Sequence, residues 1–246
     1  MARRAGEAEF LAEYDVGAFE RPSVTVDVVL LAVNGAEVFT RLVRRAEHPF
    51  REHWALPGGF VSLKETLDEA AARVLKQKAG ITGVFLEQLY TFGALARDPR
   101  TRVISVSYYA LVDRNRFDQA AESADAITAR VVVPWQGERG GLVKLLGPDG
   151  KRLPIAFDHD DIVGMAIKRI RGKLAYAPIG FELLPKRFTL LDLQRVHEAV
   201  LGERLNKDSF RRRMLASGLL EPTGRLQEGV GHRPAELYRF DATGAE

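Results

Sequence analysis

The sequence predicts an α+β protein, with a mixed α/β domain first and a small helix–turn–helix module with a terminal hairpin after it. Three observations predict this. Residues 24–33 are β-branched and mostly apolar, and the Asn34-Gly35 hairpin signal follows them. Residues 65–78 carry a helical pattern closed by Gly80. From Asp158 onward the texture turns helical, with three capping signals in succession.

In chain order, residues 7–14 read as a short helix and residues 24–33 as a buried central strand. Residues 37–43 return as its hairpin partner, and residues 65–78 form a helix. Residues 101–112 and 126–134 read as two further strands. Asp160 caps a helix whose apolar positions are Ile162, Val163, Ala166, Ile167 and Ile170, ending at Gly172. Thr189 with Asp192 makes a capping-box-like start for the next helix, which Gly202 ends. Asn206 caps a third that ends near Gly218, and residues 235–240 form a short strand. The expected division is a first domain over 1–157, a connecting helix and linker over 158–187, and a second domain over 188–246.

Composition narrows the function. The chain has 246 residues, of which 46% are hydrophobic, enough for a sizeable packed core. It has no cysteine, which excludes disulfides, thiolate metal sites and a cysteine nucleophile. The basic start at Arg3 and Arg4 leads into Gly6, Glu7 and Glu9 rather than an apolar run, and the longest apolar stretch, residues 28–33, is too short to span a bilayer. No membrane partner and a cytoplasmic location are therefore expected. The net charge of +3 permits nucleic-acid binding without arguing for it, so the placement of the charge decides.

Residues 59–73, from Gly59 through Glu65 to Arg73, resemble the first part of the Nudix signature, G-x5-E-x7-R. Gly80-Ile81 falls where that signature closes, and Trp54-Ala55-Leu56-Pro57-Gly58-Gly59-Phe60 is similar to its strand-and-loop entry. The resemblance implies a Nudix-type α/β/α sandwich with a mixed sheet. Nudix hydrolases continue with glutamates that hold Mg²⁺ against a pyrophosphate; here those positions are Val74, Gln77 and Lys78. Positions i, i+3 and i+4 share one helix face, so all three replacements strike one cluster. Mg²⁺ prefers carboxylate oxygens, and pyrophosphate hydrolysis depends on it. The expectation is therefore no catalytic residue, no metal and no cofactor. The competing reading is a hydrolase of ADP-ribose or a related nucleoside diphosphate with an atypical metal site.

A retained pocket needs contacts for a diphosphate and a base. Arg97, Arg100 and Arg102 on the loop before a strand, with Arg44-Arg45 after the second strand, are the candidate phosphate contacts, since guanidinium matches phosphate oxygens bidentately. Lys78 is a further candidate. Phe50, Trp54 and Tyr108 are candidates to stack on adenine. His159, beside Asp158, Asp160 and Asp161, reads as linker and helix cap rather than a metal site.

In the C-terminal module Phe210 and Met214 face inward at i, i+4, while Ser209, Arg212, Arg213 and Ala216 share another face. A second helix with one packed and one arginine-bearing side suits a major-groove recognition helix. Arg212 and Arg213 are the candidates for guanine edges, with Lys207 and Arg211 nearer the phosphates. Arg225, His232, Arg233 and Arg239 lie on the terminal hairpin, as on a wing. The other reading is a helical module for protein contacts with a solvated basic face.

Taken together, a degenerate Nudix domain followed by a winged helix–turn–helix resembles the Nudix-related transcriptional regulator (NrtR) family. The residues that carry it are 19–29, Gly180-Phe181-Glu182-Leu183-Leu184-Pro185, Phe188-Thr189-Leu190, Phe210-Arg211-Arg212, residues 218–224 and Arg233-Pro234-Ala235-Glu236-Leu237-Tyr238. The resemblance implies a repressor of NAD-biosynthesis genes that binds double-stranded operator DNA as a homodimer. ADP-ribose or a related nucleotide would release it.

Overall fold

A computed structural model of the chain describes residues 2–119, 125–231 and 233–245. After helix α1 (Ala2–Glu13), the centre of the fold is strand β1 (Ser23–Asn34), buried over most of its length. It turns at Gly35, whose φ is 60°, into β2 (Glu37–Arg44). Two short strands follow, β3 (Trp54–Ala55) against β2 and β4 (Gly58–Phe60) against the first half of β1. Helix α2 (Leu67–Ala79) leads to β5 (Phe85–Phe92) and β6 (Val103–Leu111). Then come α3 (Arg114–Gln119), β7 (Ala126–Val132) and β8 (Lys144–Leu146). The sheet runs β5-β6-β1-β2-β7-β8. Among the described strands β1 and β6 pair in parallel, from Ser23↔Val103 to Leu31↔Leu111, while the other strand pairs are antiparallel, so the sheet is mixed.

Alternation along β1 sends its side chains to two separate cores. Val26, Val28, Leu30 and Ala32 pack under α2 with Ala70, Val74 and Tyr108. Val29, Leu31 and Val33 pack on the opposite face with Tyr109 and with Ile162, Ala166 and Ile170 of α4 (His159–Lys173). Helices thus cover both faces, the α/β/α layering expected for a Nudix-type frame.

The C-terminal part consists of α5 (Leu190–Leu201), α6 (Lys207–Ala216) and the hairpin β9 (Leu220–Leu226) with β10 (Glu236–Phe240). Leu193, Phe188, Phe210 and Tyr238 form its own core. Helix α5 belongs to two cores at once: Leu190 and Leu193 pack in this one, Val196 and Val200 in the sheet core with α4.

Capping signals located most helices. Thr189 and Asp192 form the expected box, Gly202 closes α5 in the left-handed region, and Asn206 Oδ1 accepts from Ser209 N at 3.0 Å. Three helices begin elsewhere than expected. Helix α1 spans Ala2–Glu13 rather than residues 7–14. Helix α2 starts after Thr66, whose capping box with Glu69 leaves Glu65 on the preceding loop. Helix α4 has its N-cap position at Asp158 rather than Asp160, without a side-chain capping hydrogen bond, and it runs through Gly172 to Lys173.

A candidate nucleotide cavity and a candidate nucleic-acid interface

A cavity of about 640 Å³ opens where β4 and the loops after β2 and β5 meet the end of α2 and the start of α4. That volume lies in the range that holds a nucleotide-sized ligand. Gly58-Gly59-Phe60 forms part of its wall, and Gly58 is required there. A Cβ at Gly58 would stand 2.1 Å from Asp27 Oδ1 and 3.1 Å from Val26 O.

Its floor is a buried polar network. Arg97 donates to both carboxylate oxygens of Asp158, at 3.0 and 2.8 Å, and lies 3.5 Å from Asp27 Oδ2. Ser105 Oγ donates to the same Asp27 oxygen at 2.6 Å. His159 Nδ1 accepts from Leu56 N at 2.8 Å, which places its proton on Nε2, 3.7 Å from Asp27 Oδ1. Burial holds the His159 ring below the usual histidine range, against the opposing pull of Asp27. On the rim Arg100 pairs with both Asp98 oxygens, which keeps Asp98 below the usual carboxylate range.

Of the ligand residues expected from sequence, Arg44, Lys78, Arg97 and Arg100 line this cavity. Arg97, expected as a free phosphate contact, is instead buried in the ion pairs of the floor. Phe50 stands one shell away, edge-on to Phe157 at 4.9 Å, and Phe157 lines the wall. Arg102 is turned to Ala94 O, to which it donates at 3.1 Å, and does not line it. Tyr108 is corrected as a stacking candidate. It is 2% exposed beneath α2, where burial and its hydrogen bond to Asp68 raise its phenol pKa. Trp54 is corrected likewise, because its ring packs against the sheet core. Arg45, paired with Arg44 in the sequence reading, lines it too, and Asp27, Phe157 and His159 belong to the site without having been chosen, His159 having been read as linker and cap. Nothing local in residues 157–159 pointed to a ligand, because the topology carries them to Asp27 from the far end of the domain.

The helix of the box divides in two. Glu65 accepts from Arg73 Nε and Nη2 at 2.8 and 2.7 Å, and Arg73 Nη2 also donates to Phe60 O at 3.0 Å. Those hydrogen bonds, with one from Ser62 N, hold the Glu65 carboxyl at about 2. Glu69 is engaged in the cap of α2. Val74 is buried in the core, while Gln77 and Lys78 line the cavity. The Mg²⁺ that a Nudix frame implies does not fit these residues. Among the described residues no group of three carboxylates or histidines is placed to hold a cation.

On the second surface Lys207, Ser209, Arg211, Arg212 and Arg213 of α6 are all exposed, while Phe210 is buried and Met214 half-buried. Arg225 and Arg233 are exposed on the hairpin; His232 lies outside the described residues. Arg239 pairs with Glu221 instead of standing free. Beneath α6, the ring of His197 meets Phe210 edge-on at 5.1 Å. Burial first, and Arg213 second, depress its pKa from 6.5 to about 4. The unfolded chain therefore takes up this proton before the folded one does. The stability from the neutral ring is fully present above about pH 6.5, declines toward pH 4, and levels below that at a loss of about 3 kcal/mol. Chemical denaturation across that window should show the decline, and His197→Gln should flatten it. An unchanged slope would mean that His197 is not the group responsible.

Comparison with known proteins gives the same two-part picture. Residues 21–138 match the model of the NUDIX domain, and residues 180–240 that of the NrtR DNA-binding winged helix domain. The chain is 35% identical over 238 residues to the ADPR responsive transcriptional repressor NtrR of Acinetobacter baylyi, covering 96% of this chain and 89% of that one. It is similar to the crystal structure of Shewanella oneidensis NrtR complexed with a 27mer DNA, with TM-score 0.71, 31% identity, and 90% and 95% of the two chains covered. It also resembles the NUDIX domain of that Shewanella protein complexed with ADP ribose, with TM-score 0.52, 33% identity, and 67% and 98% covered.

Proposed function

The chain belongs to the NrtR family of transcriptional regulators, and on that premise we propose that it represses transcription as an operator-bound homodimer and leaves DNA when ADP-ribose fills its cavity. One observation carries this reading: packed helices join the cavity to the arginine-bearing helix. Asp158, at the start of α4, is held by Arg97 on the cavity floor. Near the other end of α4, Arg171 Nε donates to Val200 O of α5 at 2.7 Å, and its Nη1 donates to Gly137 O at 2.9 Å. Helix α5 in turn packs on α6 through His197 and Phe210.

A symmetric dimer reads successive major grooves only when its two recognition helices are correctly spaced. A ligand that prefers the arrangement with the wrong spacing therefore opposes DNA, and by linkage DNA opposes the ligand. The absence of hydrolysis belongs to the same proposal. It rests on Val74, Gln77 and Lys78 standing where carboxylates would hold the metal, and on Glu65 and Glu69 being engaged elsewhere. NAD-biosynthesis genes as targets, a cytoplasmic location, and the division at residues 157 and 187 complete it; no helix among the described residues is long and apolar enough to cross a membrane.

A gel-shift titration with operator DNA tests the reading. ADP-ribose should dissolve the complex, and Arg212→Ala should weaken specific binding by about 1–3 kcal/mol if that guanidinium reads a base. ADP-ribose that binds tightly yet leaves operator affinity unchanged would overturn the reading. Equal weakening by Arg212→Ala on random DNA would reassign Arg212 to a phosphate.

A further inference from the structure

A diphosphate in this cavity needs positive charge, and the frame has lost the carboxylates that would bring it as a metal ion. Most cations lining the wall are already engaged. Arg97 is held by Asp158 and Asp27, Arg100 by Asp98, and Arg44 by Glu52. Arg45 donates to Pro49 O at 2.8 Å and lies over the Phe157 ring. Lys78 differs. It lines the cavity from the last turn of α2, is exposed, and has no ion-pair or hydrogen-bond partner among the described residues. One position before it, Gln77 also lines the cavity. Its Oε1 accepts from Arg73 Nη1 at 3.4 Å, which leaves its amide nitrogen as a donor.

We propose that the Lys78 ammonium takes the place of the divalent cation, neutralising the diphosphate of the bound nucleotide directly, so that this site takes its ligand without metal. The proposal rests on the ADP-ribose reading above. The substitution is coherent in charge. A carboxylate at position 78 repels phosphate unless a dication stands between them, whereas an ammonium attracts it with nothing between. Gln77 adds a neutral donor where a second carboxylate would require the same dication. Val74 is sealed in the core and offers nothing to a metal or a phosphate. The replaced positions have thus shed their negative charge, with the one positive charge at Lys78, while the brace between Glu65 and Arg73 keeps the loop around them in place.

The test is calorimetric titration of the full chain with ADP-ribose, once with EDTA and once with Mg²⁺. Wild type should bind equally well in both. Lys78→Gln should weaken binding at least about tenfold, the scale of one hydrogen bond to a charged group, and Lys78→Arg should restore most of it. Lys78→Glu should bind poorly in EDTA and recover in part with Mg²⁺. Because the side chain is exposed, the ligand-free melting temperature of each variant should match wild type, which separates lost binding from lost folding. Wild-type binding that requires Mg²⁺, or Lys78→Gln binding as tightly as wild type, overturns this proposal and leaves the ADP-ribose reading standing. Failure of wild type to bind ADP-ribose under either condition removes both.

Discussion

Replacing Arg97 with methionine is expected to cost about 3–5 kcal/mol of folding stability, because it leaves buried carboxylates without their counterion. The Arg97 side chain is 4% exposed, that of Asp27 8%, and that of Asp158 19%, so water cannot take over the role of the guanidinium. Methionine keeps much of the length and restores neither charge nor donors. Asp27 would retain Ser105 Oγ, and Asp158 would lose both of its short hydrogen bonds. Arg97→Lys should lose less, since it keeps the charge and forfeits only the bidentate geometry. Urea unfolding of the three proteins measures the difference. A loss below about 1 kcal/mol would place the pair with ordinary surface ion pairs and refute the argument.

Gly164→Ala should cost about 2 kcal/mol or more, although alanine is the better helix former by about 1 kcal/mol. The added Cβ would lie 2.1 Å from Gly141 O and 3.1 Å from Gly141 C, which are backbone atoms of the loop between β7 and β8. That carbonyl also accepts from Trp135 Nε1 at 3.2 Å, so the loop cannot retreat without breaking a second contact. Gly172→Ala on the same helix is the matched control. There the new methyl meets only the tip of Glu138, at 3.0 Å, which can swing aside. Gly172→Ala should be neutral or stabilising, and in thermal melts only Gly164→Ala should lower the melting temperature. Equal shifts would mean that α4 does not press on the loop.

How much of this was legible in the sequence depended on whether the signal was local. The Asn34-Gly35 turn, the capping box at Thr189 and the left-handed glycines at 80 and 202 are each contained within a few residues, and each located an element. Strand β5 was missed because Phe85–Phe92 is an edge strand whose half-exposed residues do not alternate. Strands β3, β4 and β8, two or three residues long, exist only through pairing with distant partners. In the cavity the arginines were legible as a cluster but their partners were not. Arg97 reads as a loop cation until the sheet brings Asp27 and α4 brings Asp158 beside it. Tyr108 and Tyr109 look alike in sequence, yet β6 sends one under α2 and the other toward α4.

The brace between Arg73, Glu65 and Phe60 O shows that the box is two inscriptions written over each other. One specifies a shape: a loop tied to a helix by a carboxylate and a guanidinium, with glycines where the backbone must pass close. The other specifies a reaction, through carboxylates that contribute nothing to that shape. Because the two share a segment but not their residues, the second can be erased without disturbing the first. A match to the shape-bearing letters is therefore evidence of a vessel. What the vessel does has to be read from positions 74, 77 and 78.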